Sequence, residues 1–173
     1  VRTGKSTFIK RFMELVVIPE MSDDNEKVRT IDELPQSADG KTIMTTEPKF
    51  IPKEAAVIHF SNQETGKIRL IDCVGYLVPE AVGAIEEEKE RMVKTPWSEE
   101  EIPFSKAAEI GTSKVIREHS NLGLIITTDG SFGDIAAANF EEALQKTVME
   151  CEKAGKPFLI LVNTSRPDSQ ETI

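Results

Sequence analysis

The chain has 173 residues, 39% of them hydrophobic, which is the size and apolar content of one globular domain with a genuine core rather than a disordered tail. A formal net charge of −9 excludes broad electrostatic attraction to nucleic acid or anionic lipid, while leaving room for a local phosphate site. Cys73 and Cys151, far apart and without a C-x-x-C pairing, read as free thiols of a reducing, cytoplasmic interior, and no apolar run reaches the roughly 18 residues that cross a bilayer.

Val1-Arg2-Thr3-Gly4-Lys5-Ser6 carries the last six positions of the phosphate-loop pattern G-x-x-x-x-G-K-[ST] and opens directly onto an apolar-periodic segment. Because Val1 stands inside the motif, the domain is expected to be truncated at both ends, with its first strand missing. In such a loop successive backbone N–H groups form an anion nest and the helix N-terminus adds its positive dipole end. Lys5 supplies an ammonium to the β- and γ-phosphates, and Ser6 offers its hydroxyl to Mg²⁺. Val1, Arg2, Thr3, Gly4, Lys5, Ser6 and Thr7 are therefore the candidate nucleotide-binding residues. A plain helix start capped by Ser6 or Thr7 is the simpler alternative.

Over residues 7–17, Phe8, Ile9, Phe12, Leu15 and Val16 fall at helical spacing and predict a helix, stopped near Pro19. Residues 20–41 are acidic and polar, end in Ser37-Ala38-Asp39-Gly40 and read as an exposed loop. The following Gly40-Lys41-Thr42-Ile43-Met44-Thr45-Thr46-Glu47-Pro48 occupies the place of a switch loop. There Thr45 or Thr46 would ligate Mg²⁺ and sense the γ-phosphate, unless either merely starts the next strand. Residues 49–60, broken by Pro52, and residues 67–72 flank a turn and predict a hairpin with Ala56, Ile58 and Phe60 in alternation.

The second strand of that hairpin ends in Asp72-Cys73-Val74-Gly75, a D-x-x-G. A carboxylate at such a strand end faces the Mg²⁺ coordination sphere, and the glycine N–H is placed to meet the γ-phosphate. Ser6, Thr46 and Asp72 are thus the candidate metal ligands, and Lys5, Asp72, Thr45, Thr46 and Arg2 the candidate catalytic residues, with Gly75 a further nucleotide contact. An ordinary strand-ending aspartate in a turn is the alternative for Asp72.

Residues 77–106 read as an insertion, its charged run 86–91 as a solvated helix face and Trp97 as internal packing or a partner-facing anchor. Residues 107–119 predict an amphipathic helix, 122–128 a buried parallel strand, 139–153 a helix closed by Gly155, and 157–163 another buried strand. Strands alternating with helices imply one α/β P-loop NTPase domain over residues 1–173, with a mostly parallel sheet, helices on both faces and ligands at the carboxyl ends of the strands. Thr127-Thr128-Asp129-Gly130 ends a strand near that edge, though ordinary turn chemistry explains it equally well. His59 and His119, isolated from other ligand types, predict no metal site.

The combination V-R-T-G-K-S-T-F-I-K-R-F, T-I-M-T-T-E-P-K-F and I-D-C-V-G-Y resembles the stage IV sporulation protein A family, spore-coat morphogenetic proteins of endospore-forming bacteria, over essentially the whole chain. The resemblance implies a TRAFAC-type domain related to translation-factor GTPases that nonetheless binds and hydrolyses ATP with Mg²⁺. It further implies that hydrolysis drives self-assembly of the coat basement layer on the forespore surface, in the mother-cell cytoplasm. Partners implied are the protein itself as a polymer, a small amphipathic membrane-anchoring peptide and other coat proteins, with no nucleic acid. On the family's motifs, Lys5 and Ser6 match the P-loop, Asp72 the Walker B acid, and Thr45-Thr46 the sensor threonine.

Two departures from ordinary GTPases bear on the base and on turnover. The strand ending at Asn163, itself a candidate cofactor-binding residue, should lead into N-K-x-D, whose carboxylate accepts from guanine. Here the fourth position is Arg166, which has donors only, and Asp168 lies two residues too late behind Pro167. Unpaired guanine donors cost about 1–3 kcal/mol, which argues for ATP by exclusion. Tyr76 stands where a Ras-like domain carries its water-orienting glutamine, which predicts slow intrinsic turnover or water positioned by another group. Arg2, three residues before Lys5, is one substitute, its guanidinium placed near the β- and γ-phosphate oxygens, unless it simply faces solvent. Three functions compete: an ATPase coupled to self-assembly, a regulatory GTPase switch disfavoured by Arg166 and Tyr76, and a nucleotide-binding scaffold without useful turnover.

Overall fold

A computed structural model describes residues 2–35, 47–60, 64–79, 85–86, 89–131 and 135–169. The chain divides into two compact units, one of Gly4–Asp39 and Lys49–Asp72, the other of Val1–Thr3, Gly40–Pro48 and Cys73–Ile173.

In the first unit, helix α1 (Lys5–Phe12) continues through a wide π turn, Met13–Val17, into a last turn, Ile18–Glu20. The buried side chains are Ile9, Met13, Val17 and then Met21, packed on Ile51, Ala56, Ile58, Ile68 and Leu70. Leu15 and Val16, part of the expected apolar face, are instead exposed. The wide turn is the physical reason. Residues four apart drift round a regular 3.6-residue helix, whereas a π turn brings them back into line, so Met13 and Val17 take the inner face. Pro19 is accommodated within the first turn of the final segment, where no intrahelical N–H is required.

Residues expected to form an exposed loop contain helix α2 (Asp24–Glu33). Its only buried side chain is Thr30, while Val28 and Ile31 point outward, so no apolar stripe marks it. The start is made by Asp23, whose carboxylate accepts the N–H groups of Asn25 and Glu26 at 2.8 and 3.1 Å. That signal, Asp23 followed three residues later by Glu26, is a capping pattern visible in the sequence. Glu33 at the other end accepts the N–H of Lys53 at 2.8 Å and ties α2 to the hairpin.

Strands β1 (Lys49–His59) and β2 (Thr65–Asp72) pair antiparallel, from Lys49 opposite Asp72 to His59 opposite Thr65. Pro52 does not end β1. Five steps from Ile51 to Ala56 answer two steps from Leu70 to Ile68, so the proline falls in a bulge where the ladder needs no N–H. Phe60 is half-exposed rather than part of the core.

The second unit begins with hairpins. The charged run read as a helix face instead contributes β3 (Ile85–Glu86) and β4 (Lys89–Glu90), paired antiparallel, and β5 (Met92–Thr95) pairs with β6 (Ser98–Pro103). Helix α3 (Phe104–Lys114), prolonged by a π turn at Val115–His119, buries Phe104, Ala107, Ala108, Gly111 and Thr112. Strand β7 (Gly123–Thr128), a 3₁₀ turn at Ala137–Phe140, helix α4 (Glu141–Lys153) and strand β8 (Phe158–Asn163) make one β-α-β unit. Its strands run parallel, Gly123 opposite Phe158 through Thr128 opposite Asn163. Ile116, Ile125 and Cys151 form the local core, with Leu144, Val148 and Phe158 against it. Gly155, at φ 62°, ends α4 as expected.

A mixed α/β fold is thus present, but the described strands form four separate pairs of which only β7–β8 is parallel, in place of one mostly parallel sheet. Strand β8, expected buried, exposes Leu159, Ile160 and Val162, because nothing among the described residues covers them. None of the described helices is long and apolar enough to cross a membrane.

Candidate functional site

Within the first unit, the start of α1 meets the end of β2. Gly4 adopts a left-handed backbone, φ 88°, and its carbonyl accepts the N–H of Phe8 at 2.8 Å, so the helix begins directly behind it. An L side chain at φ 88° is strained, which is the reason for glycine here. Lys5 and Ser6 then occupy the first helical turn, and both reach Asp72. The Lys5 Nζ stands 3.3 Å from Asp72 Oδ1, and the Ser6 hydroxyl donates to Asp72 Oδ2 at 2.9 Å. The Asp72 side chain is 15% exposed, so its charge is partly desolvated and the lysine beside it compensates. Residues 66 apart in sequence thereby present an ammonium, a hydroxyl and a carboxylate at one helix N-terminus.

This donor set fits a hard divalent ion that takes one or two protein oxygens and keeps several waters. No group of three or more His, Cys, Asp or Glu side chains gathers among the described residues, so a dedicated all-protein metal cage is not what they form. Val1, Thr45 and Thr46 lie outside the described residues. Thr7 is exposed.

In the second unit, Thr3 is buried and its carbonyl accepts the Asn163 side-chain amide at 3.0 Å, so the loop residue before Gly4 is tied to the carboxyl end of β8. Arg2, exposed, has φ 59°, a left-handed conformation uncommon for a residue with a Cβ. The residues on either side of Thr3, Arg2 and Gly4, are thus both left-handed, a backbone conformation that anion nests use. Gly75 is also left-handed, φ 80°.

Tyr76 lines an open cleft of about 440 Å³ between α3 and α4, with Glu109, Ser113, Lys146 and Glu150 among its walls. The cleft contains none of the phosphate-loop residues. Burial first, then the charges of Glu150 and Glu109, push the phenol up to about 12, so it remains a neutral hydroxyl at physiological pH. Sequence reasoning missed the network on which it rests: Glu150 Oε1 accepts from Arg117 Nε at 2.6 Å and from the Ser113 hydroxyl at 2.7 Å. These partners, Arg117 foremost, hold the Glu150 carboxyl below its ordinary value of 4.5. A depressed carboxylate stabilises the fold above that ordinary value and loses its contribution as pH falls through the lowered one. Glu150→Gln should therefore melt a few degrees below wild type at neutral pH, with the two curves converging in a thermal melt series once the pH falls through that lowered value. A gap that persists in acid would assign the effect to packing instead.

The family model that matches residues 1–173 is that of an ATPase domain, in keeping with a lysine, serine and aspartate gathered at a helix start. It is the ATPase domain of stage IV sporulation protein A, and the chain belongs to that family. It is 57% identical over 172 residues to stage IV sporulation protein A of Bacillus subtilis (strain 168), 55% to that of Bacillus anthracis and 49% to that of Clostridioides difficile (strain 630). Each comparison covers 99% of this chain but 35% of the relative, so the chain spans about a third of the length of the relatives it matches. No solved structure matches it.

Proposed function

We propose that the chain is the ATP-binding and ATP-hydrolysing part of a sporulation protein whose turnover drives its own assembly into the basement layer of the spore coat. The observation that carries the nucleotide reading is the meeting of Lys5 and Ser6 with Asp72 at the start of α1. Lys5 and the loop amides hold the β- and γ-phosphates, and Arg2 adds positive charge beside them. Ser6 and Asp72 would hold Mg²⁺, and on the family's pattern Thr45 or Thr46 would add a further ligand. When bound, that ion neutralises charge on the phosphate oxygens as the terminal bond breaks. On the family's D-x-x-G pattern Gly75 would offer its N–H to the γ-phosphate; its φ of 80° is one that glycine adopts without strain. Tyr76 has no carbonyl amide with which to orient attacking water, which makes intrinsic turnover slow.

Assembly, placement in the mother-cell cytoplasm on the forespore surface, and contact with a small amphipathic membrane-anchoring peptide and other coat proteins rest on the family resemblance. Phosphate release and sedimentation of the full-length protein, with ATP, GTP or a non-hydrolysable ATP analogue, test the reading together. Hydrolysis of ATP, with pelleting only where hydrolysis is possible, is the expected result. Equal pelleting with the analogue would favour a scaffold without useful turnover. A GTP preference above about tenfold would favour the switch reading.

A further inference from the structure

The β1–β2 hairpin of the first unit has an inward and an outward face. Ala56, Ile58, Ile68 and Leu70 turn to the core under α1, so Val57, Lys67 and Arg69 turn away from it, Val57 directly opposite Lys67. All three are exposed, as is Lys53 in the bulge of β1. The Arg69 guanidinium is fixed on this face, 4.7 Å from the Phe50 ring centre and donating to the Lys53 carbonyl at 3.3 Å, contacts that leave its charge in full. Lys53, Lys67 and Arg69 form no ion pair with a described residue. Glu54 in the same bulge and Glu64 before β2 offset part of that charge, so a net positive face stands on a chain of net charge −9.

Helix α2 of the same unit offers the complement. Thr30 is its buried residue, and Val28, two positions back and so about 200° round the helix, is exposed together with Ile31. Asp24 and Asp32 stand four residues before and after Val28 and share its stripe. Asp32 pairs with no described cation, and Asp24, its side chain 93% exposed, meets Lys27 at 3.3 Å. An ion pair so exposed is weak and withholds little of the carboxylate's charge from a partner. The stripe is thus apolar at its centre and acidic at both ends, whereas the hairpin face is apolar at Val57 and basic around it.

We infer that the outward face of the β1–β2 hairpin docks on the outward stripe of α2 in a second copy of the chain, Val57 against Val28 and Ile31, and Lys53, Lys67 and Arg69 against Asp24 and Asp32. Charge and apolar surface match at once, which is what selects a second copy as the occupant. Because the two faces differ, the contact is head to tail, and it propagates into a polymer unless its rotation closes a ring. It rests on the self-assembly reading above and names the surfaces through which copies would join. In the full-length protein, Lys67→Glu with Arg69→Glu, or Asp24→Lys with Asp32→Lys, sets like charges face to face and should raise the concentration needed for ATP-dependent pelleting about tenfold or more. Asp32→Lys alone, at a helix end that favours a cation, serves if the doubly changed helix unfolds. Mixing the hairpin variant with the helix variant should restore pelleting, since each then meets its complement on the other. If wild type pellets with ATP and the hairpin variant pellets at the same concentration, the inference fails and the self-assembly reading stands. Loss of pelleting without rescue in the mixture also overturns the inference, and assigns these faces to the rest of the full-length chain or to another partner. If wild type does not pellet, the self-assembly reading falls and the inference with it.

Discussion

Lys5→Ala should lower ATP turnover by about a hundredfold or more, the scale on which removing one preorganised charge or donor from a developing oxyanion acts. The argument begins from position. The Lys5 ammonium lies 3.3 Å from Asp72 and one residue from Ser6, at a helix start whose own amides point the same way. Without it the Asp72 carboxylate keeps, among the described residues, only the Ser6 hydroxyl, and a triphosphate entering there meets an uncompensated negative charge. Nucleotide affinity should therefore fall together with the rate. Because the lysine and aspartate side chains are only 26% and 15% exposed, losing the lysine leaves a partly desolvated carboxylate without its cation, and the melting temperature should fall as well. Phosphate release, nucleotide titration and a thermal melt separate these outcomes. Turnover within about threefold of wild type would remove Lys5 from the phosphate site.

How much of this was legible in the sequence depends on the range over which each signal acts. The phosphate loop and the D-x-x-G strand end are short motifs whose chemistry is carried by consecutive residues, and the structure puts Lys5, Ser6 and Asp72 in contact across the 66 residues that separate Ser6 from Asp72. The β-α-β unit was legible because β7, α4 and Gly155 each carry strong local pattern. Helix α2 was not, since its stability comes from the Asp23 cap and from charge pairs such as Lys27 with Asp24 rather than from a buried stripe. The buried face of α1 was misassigned because a period of 3.6 was applied to a stretch that widens at Met13–Val17. Pairing of the acidic run as strands has no signal in a window of charged residues. The hydrogen bond of Asp129 with Thr164 was half visible: Thr128-Asp129-Gly130 marked a loop at a strand end, but Thr164 lies 35 residues away and nothing in the sequence joins them.

The largest loss of stability from one substitution is expected at Phe104. Its side chain is fully buried at the first position of α3, its N–H donates to the Arg91 carbonyl at 2.8 Å, and the Arg91 guanidinium stands 5.3 Å from its ring centre. The residues that follow on the buried face of the helix are Ala107, Ala108, Gly111 and Thr112, all too short to swing into a vacated space. A cavity that cannot collapse costs the most for a given loss of volume, so Phe104→Ala should cost about 3–5 kcal/mol, at the upper end for large-to-small changes. Part of that is the cation–π contact with Arg91, on the order of 0.5–1 kcal/mol for a partly exposed pair. Phe104→Leu, which keeps most of the volume and loses the ring face, should cost far less, and the difference between the two variants isolates the cavity. Denaturant unfolding followed through Trp97, in the turn of the neighbouring β5–β6 hairpin, reports on this region directly. A cost for the alanine variant below about 1 kcal/mol would mean that the hairpin closes onto the helix, and that small residues along α3 permit movement rather than forbid it.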